Sequence, residues 1–139
     1  MDAANKRRIQ RSFDAQAMMT TLGAQMTHVA EGELEITAPI LPGATQHQGY
    51  GHAGLTFSIG DSAAGYAALT LMPLDSEVVT AEIKINLLAP AVGDKLRARG
   101  RVIKPGKRLV VVSSEVHALK DGAETLIAVL QGTMVPVPL

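Results

Sequence analysis

The chain has 139 residues, no cysteine, and 13 basic against 13 acidic side chains, so its formal net charge is zero. This excludes disulfides and thiolate metal sites, and it argues against a general nucleic-acid binder, which needs excess positive charge. A hydrophobic fraction of 47% is ample for a core, and the length predicts one domain over residues 1–139.

The first 23 residues predict an N-terminal helix. An apolar stripe with helical spacing favours a helix over 5–22, and Gly23 is a plausible stop. The stripe consists of Ile9, Phe13 and Ala17. The remaining surface is basic and is expected to be a solvated face, formed by Lys6, Arg7, Arg8 and Arg11. Because these residues are polar, no signal peptide is expected and a cytoplasmic protein is the default.

The next segment predicts two short strands over 25–40, joined near Glu31–Gly32, followed by an irregular loop over 41–51. Residues 53–72 then predict a central helix that is apolar on nearly every face and is closed by Pro73. Its glycines are expected to allow close backbone approach: Gly54, Gly60 and Gly65.

The second half of the chain alternates as strands do. Strands are predicted over 76–89, 95–103, 108–119 and 125–135, with turns between them. In the first of these, one face is assigned Val79, Ala81, Ile83, Ile85 and Leu87, and the polar face Thr80, Glu82, Lys84 and Asn86. The predicted class is α+β: a curled antiparallel sheet of about five to six strands around one long helix. Uncovered sheet edges predict a homo-oligomer.

Asp61 is the principal catalytic candidate, because it is a lone carboxylate in an apolar helix. Burying an ionised carboxylate is costly, and such groups often mark active sites; the alternative is an Asp that bonds a local backbone group. His52 begins the same helix, about 13 Å and half a turn away. The two residues therefore cannot share a site within one chain, but they could across a two-fold dimer.

The helix start has chemistry of its own. The amides of Ala53 and Gly54 belong to the unpaired donors of the first turn, at the positive end of the helix dipole. A thioester carbonyl placed there would be polarised and its oxyanion stabilised. The alternative is a helix simply capped by His52 or by water.

The run from Gln46 to Gly54 (QHQGYGHAG), with Asp61 nine residues after His52, resembles the signature of the PaaI-type hotdog thioesterases. The segment Thr80–Pro90 and the later Gly106-Lys-Arg-Leu resemble that family's second half. The resemblance implies a hotdog fold, hydrolysis of acyl-CoA, and a homodimer or a tetramer that is a dimer of dimers.

The resemblance also implies residue roles. Asp61 is general base or nucleophile, the Ala53 amide binds the oxyanion, Gln46 stands where the family has Asn, His52 holds the helix start, and Thr80 helps place water. Other residues are expected to contact substrate: Gly49, Gly54 and Phe57, with Lys104, Lys107 and Arg108 for the phosphates of coenzyme A. The sequence departs from the family pattern in the longer Gln46 and in Ala53, which replaces a glycine.

Two rival functions remain open from the sequence. A hotdog dehydratase or hydratase would use a His and an acid, as His52 and Asp61 could be read, although the Gly-Asp-x-Asn-Pro-type loop is absent. A non-catalytic acyl-CoA-binding protein is the other. No metal, no other cofactor, no nucleic acid and no membrane partner is expected.

Overall fold

The computed structural model describes residues 1–139 as three helices and six strands. The helices are α1 (Ala3–Ala15), α2 (Ala17–Thr21) and α3 (Ala53–Leu69), with a 3-10 turn at Pro42–Ala44. The strands are β1 (Gln25–Ala30), β2 (Glu33–Pro39), β3 (Ser76–Leu87), β4 (Lys95–Lys104), β5 (Val110–Lys120) and β6 (Ala123–Pro138). The predicted elements are thus present, and most boundaries differ by only a few residues.

All six strands form one antiparallel sheet with the order β1-β2-β4-β5-β6-β3. The sheet curls around α3, whose neighbours include every strand from β2 to β6. This is the hotdog fold, and the predicted α+β class is confirmed. The two edge strands, each without a partner on one side, differ in length: β1 has six residues and β3 has twelve.

The core lies between α3 and the concave face of the sheet. From Ala63 to Leu69 every residue of α3 is buried, whereas the first turn is exposed. The closest approach comes from the sheet: a Cβ added to Gly100 would lie 2.3 Å from the backbone carbonyl of Ala63. Within the helix, Gly60 is crowded by the Leu130 side chain and Gly54 by the His52 ring, whereas Gly65 has only ordinary contacts, so the expectation of close approach is wrong for Gly65. No helix is both long enough and apolar enough to cross a membrane.

The N-terminal helix differs from the prediction in two ways. It breaks at Gln16, whose backbone is extended (ψ 97°) and which ends α1 and begins α2. The basic face is also not wholly solvated, because Arg8 is buried. Its guanidinium donates to the carbonyls of Leu69 (2.7 Å) and Met72 (3.0 Å) and to others nearby. Arg8 therefore joins α1 to the end of α3.

Strand β3 contains a bulge that the alternation pattern does not reveal. Thr80 pairs with Met134 but Glu82 pairs with Thr133, so Ala81 is an extra residue. Because the bulge exchanges the two faces, Thr80 points toward α3 and Val79 is exposed. The predicted assignment of Thr80 to the polar face is therefore wrong, and so is that of Val79 to the core face.

The convex face of the sheet is charged and largely paired. Arg97 and Arg99 of β4 each lie within ion-pair distance of Glu35 on β2 and of Glu124 on β6. Acidic side chains of β2 and β6 therefore neutralise the charges of Arg97 and Arg99 on this face.

Candidate active site

The start of α3 leaves one backbone donor without an acceptor. His52 caps the helix, and its Nδ1 accepts the Gly54 N–H at 2.7 Å. The N–H groups of Leu55 and Thr56 reach the His52 carbonyl. No acceptor within the protein takes the Ala53 N–H, which lies at the exposed, positive end of the helix dipole. This amide can bind a carbonyl oxygen from outside the chain.

The loop before α3 is held in shape by Gln46. Its side-chain oxygen accepts from the backbone N–H groups of Gln48 and Tyr50, and its amide nitrogen donates to Gln48 at 2.9 Å. Gly49 forms the tip of this turn with φ 84°, a conformation that favours glycine. Gln46, His52 and Ala53 line one groove of about 440 Å³. The structure thus brings these predicted residues together, and Gln46 organises the loop there.

Asp61 lies half-buried on the middle of α3 and accepts a hydrogen bond from the Thr80 hydroxyl, with Oγ1 at 2.7 Å from Oδ1. Its Oδ2 has no hydrogen-bond partner in the protein. Burial raises the pKa of Asp61, and the Thr80 hydrogen bond partly opposes that rise. One oxygen is therefore oriented by the protein while the other is free to act.

Asp61 and Thr80 open into a second cavity of about 400 Å³. Residues from the N-terminal helices, from α3 and from β3 line it, including Ser12, Gln16, Tyr66 and Glu77. Sequence reasoning missed Ser12, Gln16 and Glu77. No motif marks them, because they converge only when α1 folds across α3 and the start of β3.

Within one chain the two groups of candidate residues lie apart. Ala53 opens onto the groove at the helix start, and Asp61 onto the cavity beside the helix middle; the two cavities have no lining residue in common. This separation agrees with the half-turn offset predicted from helix geometry. Strand β3, which carries Thr80, is a twelve-residue edge strand with no partner on one side.

The remaining predicted residues lie elsewhere. Lys104, Lys107 and Arg108 are exposed at the β4–β5 hairpin and have no acidic partner. That hairpin follows Val102, which lies beside Gly32 near the end of α3, away from the Ala53 groove. Phe57 is half-buried against the core and lines neither cavity. No group of three or more His, Asp or Glu side chains is arranged to hold a metal ion.

Comparison with protein-family models matches residues 48–125 to the thioesterase superfamily. The matched segment includes His52, Ala53, Asp61 and Thr80. Among solved structures, a thioesterase family protein from Silicibacter pomeroyi is 36% identical, with a TM-score of 0.95 over 97% of this chain and 99% of that one.

Two further comparisons are less direct. A Saccharolobus solfataricus protein named "putative esterase" is 43% identical over 60% of this chain, and the match spans about half, 53%, of its own length. The PaaI protein of the E. coli phenylacetic acid degradation operon is 21% identical, with a TM-score of 0.84 over 96% of this chain and 94% of that one. At that identity the similarity concerns the fold alone.

Proposed function

Because the chain belongs to the thioesterase superfamily, we propose that it hydrolyses acyl-CoA thioesters to a free acid and coenzyme A. The observation that carries the proposal is the environment of Asp61. One oxygen is held by Thr80, the other has no partner in the protein, and Asp61 lines a cavity large enough for an acyl group. Such a carboxylate can activate water or attack a carbonyl carbon.

The proposed reaction begins with the thioester carbonyl oxygen on the Ala53 N–H. Ionised Asp61 then removes a proton from water as the hydroxyl adds to the carbonyl carbon, and the helix start stabilises the oxyanion. Collapse breaks the carbon–sulfur bond and leaves the free acid, while Asp61 returns its proton to the departing thiolate, which leaves as coenzyme A. In the alternative route Asp61 itself attacks, and water cleaves the resulting mixed anhydride.

The proposed site combines two subunits. Ala53 of one chain and Asp61 of its partner would approach each other if two β3 edges meet across a two-fold axis. The edge strand supports this arrangement because it is long, unpaired and carries exposed apolar side chains, including Val79 (47% exposed) and Leu87 (56% exposed). Pairing of two such dimers into a tetramer is the further expectation from the family resemblance.

Three exposed cations are proposed for the phosphates of coenzyme A: Lys104, Lys107 and Arg108. Their side chains lack acidic partners, so their charges are available to an anionic ligand. Replacing all three with Ala should raise KM for acyl-CoA while leaving kcat close to wild type.

His52 favours thioester hydrolysis over hydratase chemistry. Its Nδ1 accepts the Gly54 N–H, so the neutral ring carries its proton on Nε2 and is committed to capping the helix. A side chain at position 54 would crowd that nitrogen at 3.0 Å, which explains the glycine there. His52 is therefore assigned a positioning role.

Thiol release from a panel of short, medium and aromatic acyl-CoAs tests the proposal. We expect turnover of at least one class, measured spectrophotometrically. Tight binding without thiol release would instead indicate an acyl-CoA-binding protein. Addition of water to an enoyl-CoA, with the thioester intact, would indicate a hydratase. Either of these results would overturn the proposed hydrolysis.

A further inference from the structure

The Asp61 cavity ends in a cluster of hydrogen-bonded side chains drawn from three parts of the fold. Gln16 Nε2 donates to the Tyr66 hydroxyl at 2.8 Å. Ser12 Oγ lies 3.2 Å from that hydroxyl and 3.1 Å from a carboxylate oxygen of Glu77. The proposed hydrolysis uses none of these four residues, although all of them line the cavity.

The number of hydroxyl protons in the cluster fixes the direction of its hydrogen bonds. The Ser12 hydroxyl has one proton, and the Glu77 carboxylate can only accept, so Ser12 donates to Glu77. Tyr66 must then donate to Ser12 while it accepts from Gln16. The hydrogen bonds therefore run toward Glu77. The unused valences are mainly acceptors, namely the carboxylate oxygens of Glu77 and the side-chain oxygen of Gln16, beside the second N–H of Gln16.

The cluster and the reacting carboxylate line the same cavity but are separated along it. Tyr66 is five residues after Asp61 on α3, a rise of about 7.5 Å along the helix axis. On β3, Glu77 lies three residues before Thr80, about 10 Å away along the strand. An acyl group whose carbonyl is held beside Asp61 would thus place its distal end at the cluster.

The charge of the cavity is negative. Asp61 and Glu77 both line it, and no lysine or arginine does. Burial lowers the pKa of Arg8, and the nearby charge of Glu77 partly opposes that decrease. The Arg8 guanidinium nevertheless donates its hydrogen bonds to backbone carbonyls and to the Asn5 side chain. A distal carboxylate would meet like charge here, whereas a distal donor would meet acceptors.

We infer that Ser12, Gln16, Tyr66 and Glu77 form a specificity subsite that selects short acyl groups ending in a hydrogen-bond donor and rejects those ending in a carboxylate. The inference rests on the proposed thioester hydrolysis. It assigns the N-terminal helices a part in substrate choice: Ser12 and Gln16 lie outside the matched segment 48–125, so the family match carries nothing about them.

Three acyl-CoAs of similar length test the subsite: ω-hydroxyhexanoyl-CoA, heptanoyl-CoA and adipoyl-CoA. For the full-length wild-type protein we expect kcat/KM to be highest for the hydroxyl, about 10- to 100-fold above heptanoyl, because one hydrogen bond to a charged acceptor is worth that much. Adipoyl-CoA should be the poorest. Equal rates for the three would overturn the subsite and leave the proposed hydrolysis intact. Failure to release thiol from any CoA thioester would overturn the hydrolysis itself.

Two variants test whether Glu77 and Ser12 cause this substrate preference. Glu77→Gln should lower the preference for the hydroxyl and raise the rate with adipoyl-CoA, because it removes the charge with little change of shape. Ser12→Ala should also lower the preference by interrupting the donor chain. Glu31→Gln, in the exposed turn between β1 and β2, is the matched control and should behave as wild type. If wild type discriminates but neither Glu77→Gln nor Ser12→Ala changes the ratios, the assignment of these residues is wrong.

Discussion

The two halves of α3 differ in how completely their polar groups are satisfied. In the first half, the Ala53 N–H and the Asp61 Oδ2 have no partner in the protein, and both face open space. In the second half, from Ala63 to Leu69, every side chain is buried. At the end of this half, Arg8 donates a hydrogen bond of 2.7 Å to the carbonyl of Leu69.

Thr70 satisfies further backbone groups at the end of α3. Its hydroxyl donates to the Ala67 carbonyl at 2.7 Å and accepts the Gly32 N–H at 2.8 Å, while Asn5 donates to its carbonyl. The contrast teaches that one helix serves two purposes. The second half anchors the helix in the sheet, and that anchor holds the unsatisfied groups of the first half in a fixed geometry. Substitutions in the first half should therefore affect rate, and those around the second half should affect stability.

Asp61→Asn should cause the largest loss of activity. Loss of a general base or nucleophile predicts a decrease in turnover of about 100- to 10,000-fold in a folded protein. Circular dichroism establishes the fold and thiol release gives the rate. Near-normal activity in the folded variant would refute the assigned role.

The same substitution should affect stability with a definite sign. Because burial raises the pKa of Asp61 in the folded state, the ionised form costs stability. The favourable contribution of this group is complete below its unfolded pKa and is lost as pH rises through the folded pKa. Thermal unfolding of Asp61→Asn should therefore occur at higher temperature than wild type at neutral pH, with the difference disappearing in acid.

Ala53→Pro should have the next largest effect. It removes the proposed oxyanion donor, and the loss of one such donor costs about 2.7–4 kcal/mol of barrier, or roughly 100- to 1,000-fold in kcat. Proline suits this first helical position, and the extended backbone of His52 (ψ 145°) suits a residue that precedes proline. Ala53→Gly, which keeps the N–H, is the matched control and should remain active. A folded Ala53→Pro protein with wild-type kcat would place the oxyanion elsewhere.

Arg8→Met should lower stability, because Arg8 bonds the carbonyls at the end of α3. It leaves buried carbonyls, including those of Leu69 and Met72, without their donor, so the free energy of unfolding should fall by about 3 kcal/mol. Urea unfolding measures this change, and kcat per folded molecule should stay close to wild type. Arg7→Met, at the exposed neighbouring position, should change stability little. Equal effects of the two substitutions would contradict the anchoring role.

Among the substitutions at the proposed site, Thr80→Val should have the smallest effect on rate. It removes the hydrogen bond that lowers the pKa of Asp61, so that pKa should rise further. The acid limb of kcat/KM should shift to higher pH, with a loss of about three- to tenfold just above the wild-type limb. Thr80→Ser keeps the hydroxyl and should keep the wild-type profile. An unchanged limb in Thr80→Val would separate Thr80 from the ionisation of Asp61.

Much of the fold was predictable because periodic patterns carry it. The alternation in the second half of the chain and the all-apolar run of α3 predict the curled sheet and its helix directly. The face of Thr80 was not predictable, since one extra residue, Ala81, exchanges the faces of β3 without any mark in the pattern. The resemblance to a family, rather than strand alternation, pointed to Thr80.

Other features depend on contacts distant in sequence. Arg8 lies in a basic cluster that reads as solvated, and only the meeting of α1 with the end of α3 shows that it is buried. The break at Gln16 likewise has no proline or glycine to announce it; the Gln16 side chain bonds Tyr66, fifty positions later. The subsite residues Ser12 and Glu77 were missed for the same reason.

Mixed dimers test the central claim most directly, which is that Ala53 of one subunit and Asp61 of the other form one site. Asp61→Asn and Ala53→Pro chains carrying different affinity tags can be co-expressed and the mixed dimers isolated by sequential purification. Each mixed dimer would hold one site with both native groups and one site with neither, so about half of wild-type activity per dimer is expected from two inactive parents. Mixed dimers as inactive as the parents would show that both groups act within one chain and would contradict the composite site.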